Sequence, residues 1–433
     1  MDRRKFIELS SLFGAALLLG CKKPFGGGNS TGTVPVVTKK TWKGWQKGQF
    51  QVHFIYTGVA ESLFFIFPDG TTMLLDCGDH NVKSSAGEQA VPILPGDHLH
   101  AGEWIARYVQ KVNPNGKSVD YMMLSHYHCD HAGSEVWYAG TETHSGEPYV
   151  LSGFSQAAQH LDFSRAIDRL WPGYDTPLPM VDDANKVFTH MKKFYDYMQS
   201  SRGLQIESFR LGATDQIVPL HDTVKGFSVR NVCGNGYISL PDGSVQDLYA
   251  ELKANPPEYF NDNGMSLGLE FSYGPFRFFT AGDFCASPTL PTGGKRNIEE
   301  SLAAAVLPCD VSKVNHHGYQ SMPAKLVSAL RSRVWVSCVW RQDHNQSEVL
   351  SRLSSRSLYP GDRLICPGIF TPERKTADAG SSYLDDIAPA SSTGGHIVLN
   401  VEEGGEKYTI TYLDARDESL SVLSSAEFET FAK

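Results

Sequence analysis

The sequence lacks an excess of basic charge. Its 433 residues include 39 Lys and Arg against 48 Asp and Glu, which gives a net charge of −9. Proteins that bind long nucleic acids neutralise phosphates with a basic surface, so we expect no strong nucleic-acid partner. A small-molecule or short phosphodiester substrate is compatible with this charge, because bound metal ions supply positive charge locally. The sequence does not indicate an oligomeric state.

Paired cysteines are also lacking. Apart from Cys21, seven cysteines are spread widely along the chain, and no two of them form a CxxC pair. An odd number of cysteines without short spacings argues against a disulfide framework, so we expect most of them to be small core residues. Cys129 differs, because it lies inside a cluster of histidines and could contact a metal. Internal repeats and a nucleotide-binding glycine loop are absent from the sequence as well.

Long apolar runs are missing except near the N-terminus. Residues 1–20 have a basic start and then an apolar stretch that is too short for a stable membrane span, which is typical of a signal peptide. The sequence LLGC that ends at Cys21 resembles a bacterial lipobox, in which the cysteine is lipidated. We therefore expect an exported lipoprotein, held by its lipid at a membrane of the bacterial cell envelope, in the periplasm or on the outer surface. The alternative is an ordinary cleaved signal peptide.

The start of this segment carries a second pattern. Arg3-Arg4 followed by Phe6 resembles a twin-arginine export signal, although Asp2 and Glu8 depart from it. Export by that route would mean that the protein folds in the cytoplasm before it is exported. The alternative is the simple positive start of a general signal peptide.

The rest of the chain divides into a tether and one main domain. Residues 21–45 are polar and rich in glycine, which predicts a flexible tether. Residues 46–433 are predicted to form a single catalytic domain, because the composition, 41% hydrophobic overall, is enough for a core. Within this domain, residues from about 139 to 225 are predicted to be an insertion that contains an amphipathic helix at 183–200.

Several predicted strands end in residues that can bind metal. Strands at 119–124, 276–280 and 311–314 are followed by a run of histidines, by Asp283 and by His316-His317. Ligands this far apart in the chain converge only if the strand ends share one edge, where sites are commonly placed. The other predicted elements are strands at 50–56, 62–67, 72–75 and 267–273 and helical stretches at 103–112 and 298–306.

The run HYHCDH after residue 125 has a spacing that suits two metal ions. His126 and His128 lie two residues apart and can face one ion, whereas Asp130 and His131 can face a second. Asp283, which arrives from another strand, could bridge the two ions. Imidazole and carboxylate groups suit zinc, and manganese or iron would also fit. We therefore predict two Zn²⁺ ions per chain.

Ions held by so few protein ligands leave room for water. A hydroxide held between two ions would be a nucleophile at neutral pH, and the same ions would polarise the group under attack. We therefore expect a metal-dependent hydrolase. The alternative is a structural metal site, but such sites favour closed shells that are rich in cysteine.

The order of these motifs resembles the metallo-β-lactamase superfamily. HYHCDH lies after Asp76-Cys77-Gly78 and before Gly282-Asp283 and His316-His317-Gly318, and the likeness extends over about residues 50–412. Within the superfamily, the sequence is most similar to the soluble nuclease-like domain of the competence DNA-uptake channel family. The segments that carry this finer likeness are residues 263–267, 313–318, 344–350 and 395–399. The membrane channel of that family is missing from this sequence, so DNA uptake is not inferred.

The resemblance implies a fold and a role for each residue. The fold would be α+β, a four-layer αββα sandwich with a helical insertion and with the metals at one edge. His126 and His128 would hold the first ion, Asp130 and His131 would hold the second, and Asp283 would bridge them. We call the positions of these two ions the first and the second site.

Further residues receive roles from the same resemblance. One of His316 and His317 would complete the second site, and Asp130 would also take part in catalysis. Asp76 would orient the motif loop from behind the ligands, unless it only caps a turn. His344 would hold a phosphate or leaving-group oxygen, unless it only begins a helix.

The sequence departs from the superfamily at one position. Many members supply a further histidine to the first ion roughly 20 residues before the bridging aspartate, and this chain has Asn261-Asp262-Asn263-Gly264 there. Water, an asparagine or a histidine from elsewhere would have to complete the first site. The candidate histidines are His144, His160 and His190.

The function expected from the sequence is therefore that of an exported metal-dependent hydrolase. The competence likeness favours a phosphodiester or related ester as the substrate. A lactone, a thioester or a β-lactam is the alternative within the same fold. A non-hydrolytic binding protein or an iron redox protein is the alternative of another class.

Overall fold

The structure is a computed structural model that describes residues 41–81, 87–134, 146, 148–174, 187–253, 261–291 and 293–431. The predicted signal peptide, most of the predicted tether and Cys21 lie outside these residues. Within the described part of the chain, no helix is both long enough and apolar enough to cross a membrane.

The described strands form two mixed sheets. The strands of the first sheet are β1 Phe50–Phe54, β2 Leu63–Ile66, β3 Thr72–Leu75, β4 Ser118–Met123, β5 Asp162–Asp168, β6 Gln205–Ser208, β15 Gly395–Val401, β16 Lys407–Asp414 and β17 Val422–Glu429. They lie in the order β17-β16-β15-β1-β2-β3-β4-β5-β6.

The second sheet contains the strands that lie between β6 and β15 in the chain. They are β7 Phe227–Gly234, β8 Tyr237–Ser239, β9 Val245–Asp247, β10 Gly268–Tyr273, β11 Phe276–Thr280, β12 Val311–Lys313, β13 Val334–Ser337 and β14 Leu364–Pro367. Their order is β14-β13-β12-β11-β10-β7-β8-β9, and β11 to β14 run parallel to one another.

The two sheets pack face to face through an aromatic core. Side chains alternate between the faces of a strand, so Phe50, Val52 and Phe54 of β1 point together into this core. Phe65 of β2 stacks on Phe271 of β10 with 4.9 Å between ring centroids, which joins one sheet to the other. Burial of these rings supplies the main apolar contact between the sheets.

Helices cover the outer faces of both sheets. The described α-helices of the chain are α1 Ala101–Val112, α2 Cys129–Ala132, α3 Phe154–Ala157, α4 Val187–Arg202, α5 Ala324–Leu330, α6 Ser347–Ser354 and α7 Pro372–Ala377. Apolar residues of α1, α3 and α4 pack on the first sheet, and those of α5 and α6 pack on the second. The layers are therefore helix, sheet, sheet and helix, which confirms the predicted α+β sandwich.

The structure differs from the sequence prediction in two regions. The range from about 139 to 225 contains α4, but it also contains β5 and β6, which extend the first sheet in parallel beyond β4. That range is thus partly built into the sandwich rather than being only a helical insertion. The helical stretch predicted at 298–306 is a 3-10 helix, Ile298–Ala304.

The amphipathic helix predicted at 183–200 is observed as α4, while residues 183–186 lie outside the described residues. Its Val187, Met191, Phe194 and Tyr195 are fully buried, and Phe188 is half-buried against the same cluster. These side chains pack the helix onto the first sheet.

The parallel pairings place the predicted ligands at one edge. β3 runs parallel to β4, and β11 runs parallel to β12 and β13. The carboxyl ends of β3 and β4 therefore lead into the loops of Asp76 and HYHCDH. Those of β11 and β12 lead into the loops of Asp283 and His316-His317.

Candidate metal centre

Asp76 holds the motif loop from behind. Its Oδ1 accepts the backbone N–H of Ser125 at 2.7 Å, and its Oδ2 accepts the Ser125 hydroxyl at 2.7 Å. The same Oδ2 lies 2.8 Å from Nδ1 of His131. Asp76 is fully buried, so these contacts compensate the loss of hydration of its carboxylate. Asp76 therefore contacts both the start of the motif loop and His131, and its predicted role in orienting that loop stays a prediction.

Close backbone packing brings the loops together at Gly78. A Cβ atom added to Gly78 would lie 1.8 Å from the carbonyl oxygen of Asp130, so only glycine fits there. The same carbonyl accepts the backbone N–H of Glu61 at 2.9 Å. The motif loop thus rests directly on the two segments that flank β2 and β3.

Four buried side chains offer ligand atoms within 4.8 Å of one another: Glu61, His131, Asp283 and His317. Nε2 of His131 lies 3.1 Å from Oδ2 of Asp283, and Nε2 of His317 lies 3.3 Å from the same oxygen. Asp130 joins them, with its Oδ2 3.1 Å from Nε2 of His317 and 3.7 Å from Nε2 of His131. The structure therefore brings together the residues that were predicted for the second site.

His317 and His316 point in different directions. Nδ1 of His317 lies 3.0 Å from the carbonyl oxygen of Cys338, which leaves Nε2 directed at Asp130 and Asp283. His316 instead places its Nδ1 3.0 Å from the sulfur of Cys285 and its Nε2 3.2 Å from Nδ2 of Asn263. Of the two histidines, His317 is the one that lies with the second-site residues.

His126 and His128 lie beside this cluster. The ring of His126 is 4.7 Å from that of His128 and 4.3 Å from that of His131, measured between centroids. Nδ1 of His126 is 3.0 Å from the Ser125 hydroxyl, and its buried Nε2 has no hydrogen-bond partner among the described residues. His128 is half-buried.

Tyr127, between these two histidines, anchors the loop to the fold. Its backbone N–H donates to the Asp262 carboxylate at 2.7 Å, and its hydroxyl donates to Asp168 at 2.5 Å. Asp168 is buried and also accepts a hydrogen bond from the Tyr174 hydroxyl at 2.9 Å. These contacts fix the backbone from which His126 and His128 project.

The electrostatics of the cluster favour positive charge at its centre. Burial alone would lower the pKa of His131 and His317, but Asp283 and Asp130 outweigh it, raising the pKa of His317 to about 10 and that of His131 well above its ordinary value. Burial would raise the pKa of Asp130 and Asp283, yet the two histidines hold both values well below the usual range. The field that favours a proton on these imidazoles also favours a metal cation.

The residues present fit a metal. Imidazole nitrogens and carboxylate oxygens are the ligands that zinc prefers, and manganese and iron accept them too. Buried ligand atoms of His126, His131 and Asp283 have no hydrogen-bond partner among the described residues, which is unusual unless a further group satisfies them. Burial lowers the pKa of His126 well below its ordinary value, with His131 and His128 adding to the effect, so this imidazole is neutral as a ligand must be.

Three residues at the centre were not predicted from the sequence. Glu61 lies between β1 and β2, and its Oε1 is 2.9 Å from Nζ of Lys313, while its Oε2 is 3.5 Å from Nδ1 of His317. Trp340 donates its indole N–H to Oδ2 of Asp130 at 3.0 Å. Lys313 lies in residues 313–318, which resemble the competence family. That resemblance is the only feature of the sequence that pointed to any of these three residues.

His344 lies against the centre. Its ring stacks on that of His317, with 4.9 Å between centroids and 10° between planes. Burial lowers its pKa well below the ordinary value, and His317 adds to the effect, so the neutral imidazole is favoured over the protonated one. Its buried Nδ1 has no hydrogen-bond partner among the described residues. The predicted role of His344 in holding a substrate oxygen stays a prediction.

The other candidate residues lie elsewhere or outside the description. His190 is buried on α4 with its Nε2 3.2 Å from the carbonyl oxygen of Ser152, and His160 is exposed. His144 lies outside the described residues. Cys129 is half-buried at the start of α2, where it packs against the apolar cluster of the first sheet.

Among known proteins, the chain is similar to a solved structure. It is described as a metal-dependent hydrolase of the β-lactamase superfamily, with 11% sequence identity, a TM-score of 0.30, and coverage of 73% of this chain and 96% of that chain. Because the two backbones overlap so little, the fold assignment rests on the strand order and layers described above. No protein-family model matches the sequence, and no curated protein matches it significantly.

Proposed function

We propose that this protein is a metal-dependent hydrolase. The observation that carries the proposal is the buried cluster at the shared strand edge, where ligand atoms of Glu61, His131, Asp283 and His317 lie within 4.8 Å of one another. A site built only for structure would favour a closed cysteine-rich shell, whereas this one is built from imidazoles and carboxylates.

The chain contributes an oriented set of ligands and a support around them. His126 and His128 would hold the first ion, and Asp130, His131 and His317 would hold the second, with Asp283 between them. Bound ions would act as Lewis acids and would activate water at neutral pH.

Contacts around the ligands limit their movement. Asp76 and Ser125 fix His131, the Cys338 carbonyl fixes His317, and the indole N–H of Trp340 fixes Asp130. Such outer contacts set the ring orientation and the basicity of metal ligands. His344, stacked on His317, offers a neutral imidazole to a substrate oxygen that reaches the centre.

We further propose a phosphodiester or related ester as the substrate. Three segments that resemble the competence family meet at the centre: Asn263 faces His316, Lys313 pairs with Glu61, and His344 stacks on His317. Their meeting at one place supports a shared chemistry with the nuclease-like domain. Lactones, thioesters and β-lactams are the competing substrates.

The test is hydrolysis by the metal-loaded protein of a panel that contains bis(p-nitrophenyl) phosphate, a lactone, a thioester and a β-lactam. We expect turnover of the phosphodiester, and loss of that turnover in Asp130→Ala and Asp283→Ala variants that still fold. Turnover of another panel member instead would contradict the substrate proposal. Full metal occupancy without any turnover would contradict the hydrolase and favour a binding or redox protein.

We also propose that the protein is an exported lipoprotein, from the LLGC sequence that ends at Cys21. The Cys21→Ser variant should move from the membrane fraction to the soluble fraction of the cell, because the lipid attaches to that sulfur. Unchanged membrane retention of Cys21→Ser would contradict the lipid anchor.

A further inference from the structure

The two adjacent histidines after β12, His316 and His317, contact different residues. Both have a left-handed backbone, with φ of 49° at His316 and 53° at His317. Such a backbone is uncommon outside glycine, and it turns the chain so that successive side chains diverge. Since His317 faces Asp130 and Asp283, His316 is left for another role.

The nitrogens of His316 are arranged like those of the ligand histidines. In His126, His131 and His317, Nδ1 is held by a protein group, namely the Ser125 hydroxyl, the Asp76 carboxylate and the Cys338 carbonyl. Their Nε2 atoms face the centre or have no partner among the described residues.

His316 follows the same pattern. Its Nδ1 lies 3.0 Å from the Cys285 sulfur, which can accept the N–H and so leave Nε2 without a proton. That Nε2 lies 3.2 Å from Nδ2 of Asn263, which can donate a hydrogen bond to it, so a metal ion bound to Nε2 would replace this hydrogen bond.

Asn263 occupies the place where the missing histidine was expected. It is buried in the 3-10 turn Asp262–Met265, and its Oδ1 has no hydrogen-bond partner among the described residues. The preceding residue, Asp262, accepts the backbone N–H of Tyr127, so this turn is tied to the loop between His126 and His128.

The backbone of His316 is also joined to the loop of the bridging carboxylate. Its N–H donates to the carbonyl oxygen of Gly282 at 3.3 Å, one residue before Asp283. His316 is therefore held between the Asp283 loop and the turn of Asn263. Of the three histidines considered as substitutes, His190 of α4 contacts the carbonyl oxygen of Ser152 and His160 is exposed, so neither of these two competes for this place, and His144 lies outside the described residues.

We propose that His316 supplies the third imidazole of the first metal site, in place of the histidine that the sequence lacks at the position of Asn263. The proposal rests on the proposed function, because it assumes a centre with two ions. Each of the adjacent histidines then serves one ion, His316 the first and His317 the second, and Cys285 positions His316 through Nδ1.

The test measures bound metal rather than activity. Purified wild-type protein and its His316→Ala and His317→Ala variants are loaded with Zn²⁺, and metal per chain and affinity are measured by elemental analysis and chelator competition. Loss of a contact behind a ligand costs about 10–100-fold in affinity, so loss of the ligand itself should cost more. We expect His316→Ala to lose one ion and keep the other, and His160→Ala, at an exposed position, to change nothing.

A rescue variant separates ligation from folding. Asn263→His in the His316→Ala background places an imidazole where the superfamily has one, and the removed His316 ring leaves room for it, since Asn263 is 3.2 Å away. We expect this double variant to regain the lost ion. Unchanged affinity for both ions in His316→Ala would overturn the proposal, as would a double variant that folds and still lacks the ion.

These outcomes are distinguishable from failure of the proposed function. Wild-type protein that binds two ions but hydrolyses no panel substrate would contradict the hydrolase, while the metal content of His316→Ala would still decide the ligand. Wild-type protein that binds a single ion, retained in His316→Ala, would overturn the ligand assignment and the two-ion centre, while turnover of a panel substrate by that protein would still support a hydrolase.

Discussion

At the residue scale, the pair of Glu61 and Lys313 connects all the loops of the centre. The backbone of Glu61 donates to the Asp130 carbonyl and accepts from Gly78, in the first sheet's loops. Nζ of Lys313 donates to the carbonyl of Gly282 at 2.8 Å, one residue before Asp283, and to that of Val314 at 3.3 Å, two residues before His316. The 2.9 Å contact between the two side chains therefore links the ligand loops of both sheets.

The charge state of this pair follows from its geometry. Burial raises the pKa of Glu61, which alone would favour the neutral acid. Burial would lower the pKa of Lys313, but Glu61 and Asp283 outweigh it and raise that value. The short distance between Nζ and Oε1 favours the ion pair over two neutral groups.

Removal of either charge should weaken the fold and the metal centre. Glu61→Gln leaves the Lys313 ammonium buried without its counter-ion, and breaking such a pair costs about 3–5 kcal/mol. Lys313→Met should cost a similar amount, and the double variant should cost less than the sum, because the unpaired charge is gone. Urea unfolding and metal content measure both effects.

The matched control is an exposed ion pair. Lys47 and Asp222 are 3.1 Å apart and mostly exposed, so Lys47→Met should change stability by less than about 1 kcal/mol. If Glu61→Gln were no more destabilising than Lys47→Met, Glu61 and Lys313 would not hold the loops as described.

The sequence could predict most of the residues that meet at the candidate metal centre but not this pair. The spacing in HYHCDH and the strand-end positions of Asp283 and His317 carry a chemical pattern that can be read directly. Glu61 stands alone before β2, and its role depends on a partner 252 positions away, which only the packing of the two sheets reveals. His317 faces Asp130 and Asp283 whereas His316 faces Asn263, and this difference depends on backbone angles that the residue types do not encode.

At the element scale, the centre depends on how tightly the loops after β3 and β4 are packed. Gly78 has no room for a side chain, since an added Cβ would lie 1.8 Å from the Asp130 carbonyl oxygen and 2.6 Å from the His131 nitrogen. Both contacts are with backbone, which cannot rotate away.

Gly78→Ala should therefore displace the motif loop. We expect a loss of about 1–3 kcal/mol in stability, as for an overpacked core, and weaker metal retention because Asp130 and His131 move. Thermal unfolding and metal content after dialysis measure the two effects. The control is Gly294→Ala, where an added Cβ meets no atom within 4 Å. Equal metal retention in the two variants would contradict the close packing inferred for Gly78.

Elements with a clear hydrophobic pattern were predicted best. β3 and β11 follow from short apolar runs bounded by turn residues, and the buried face of α4 follows from a 3.6-residue period. The membership of β6 in the first sheet was missed, because its four residues are only half-buried or exposed and lack a strong pattern. The short 3-10 helix Ile298–Ala304 has the same apolar spacing as an α-helix over so few residues.

At the scale of the whole molecule, two buried histidines away from the centre make stability depend on pH. His53 of β1 lies 3.0 Å from the Tyr108 hydroxyl, and His396 of β15 accepts the backbone N–H of Tyr56 at 3.1 Å. Burial lowers the pKa of each imidazole to about 3, and at His53 the nearby His396 contributes to that lowering. Both are neutral in the folded protein.

Stability should fall as the pH falls from about 6.5 toward 3. In that range the unfolded chain binds protons on His53 and His396 and the folded protein does not, so protons favour unfolding. The contribution of each imidazole is fully present above pH 6.5, and about 2 kcal/mol of it is lost between pH 7 and pH 5. Urea unfolding at the two pH values measures the loss.

A variant without the His396 imidazole separates this pH effect on stability from any pH effect of the metal centre. His396→Asn keeps an acceptor for the Tyr56 N–H and should show a smaller loss between pH 7 and pH 5 than the wild type. The exposed His160→Asn should match the wild type. An equal loss in His396→Asn would mean that His396 takes up no proton on unfolding.

The central claim is that the two sheets meet at a metal centre, and its most direct test is metal per chain in purified protein. We predict two ions in the wild type, and loss of metal in an Asp283→Asn variant that keeps its circular dichroism spectrum, because Asp283 lies against both His131 and His317. A wild type without stoichiometric metal, or an Asp283→Asn variant with the same metal content, would contradict the claim.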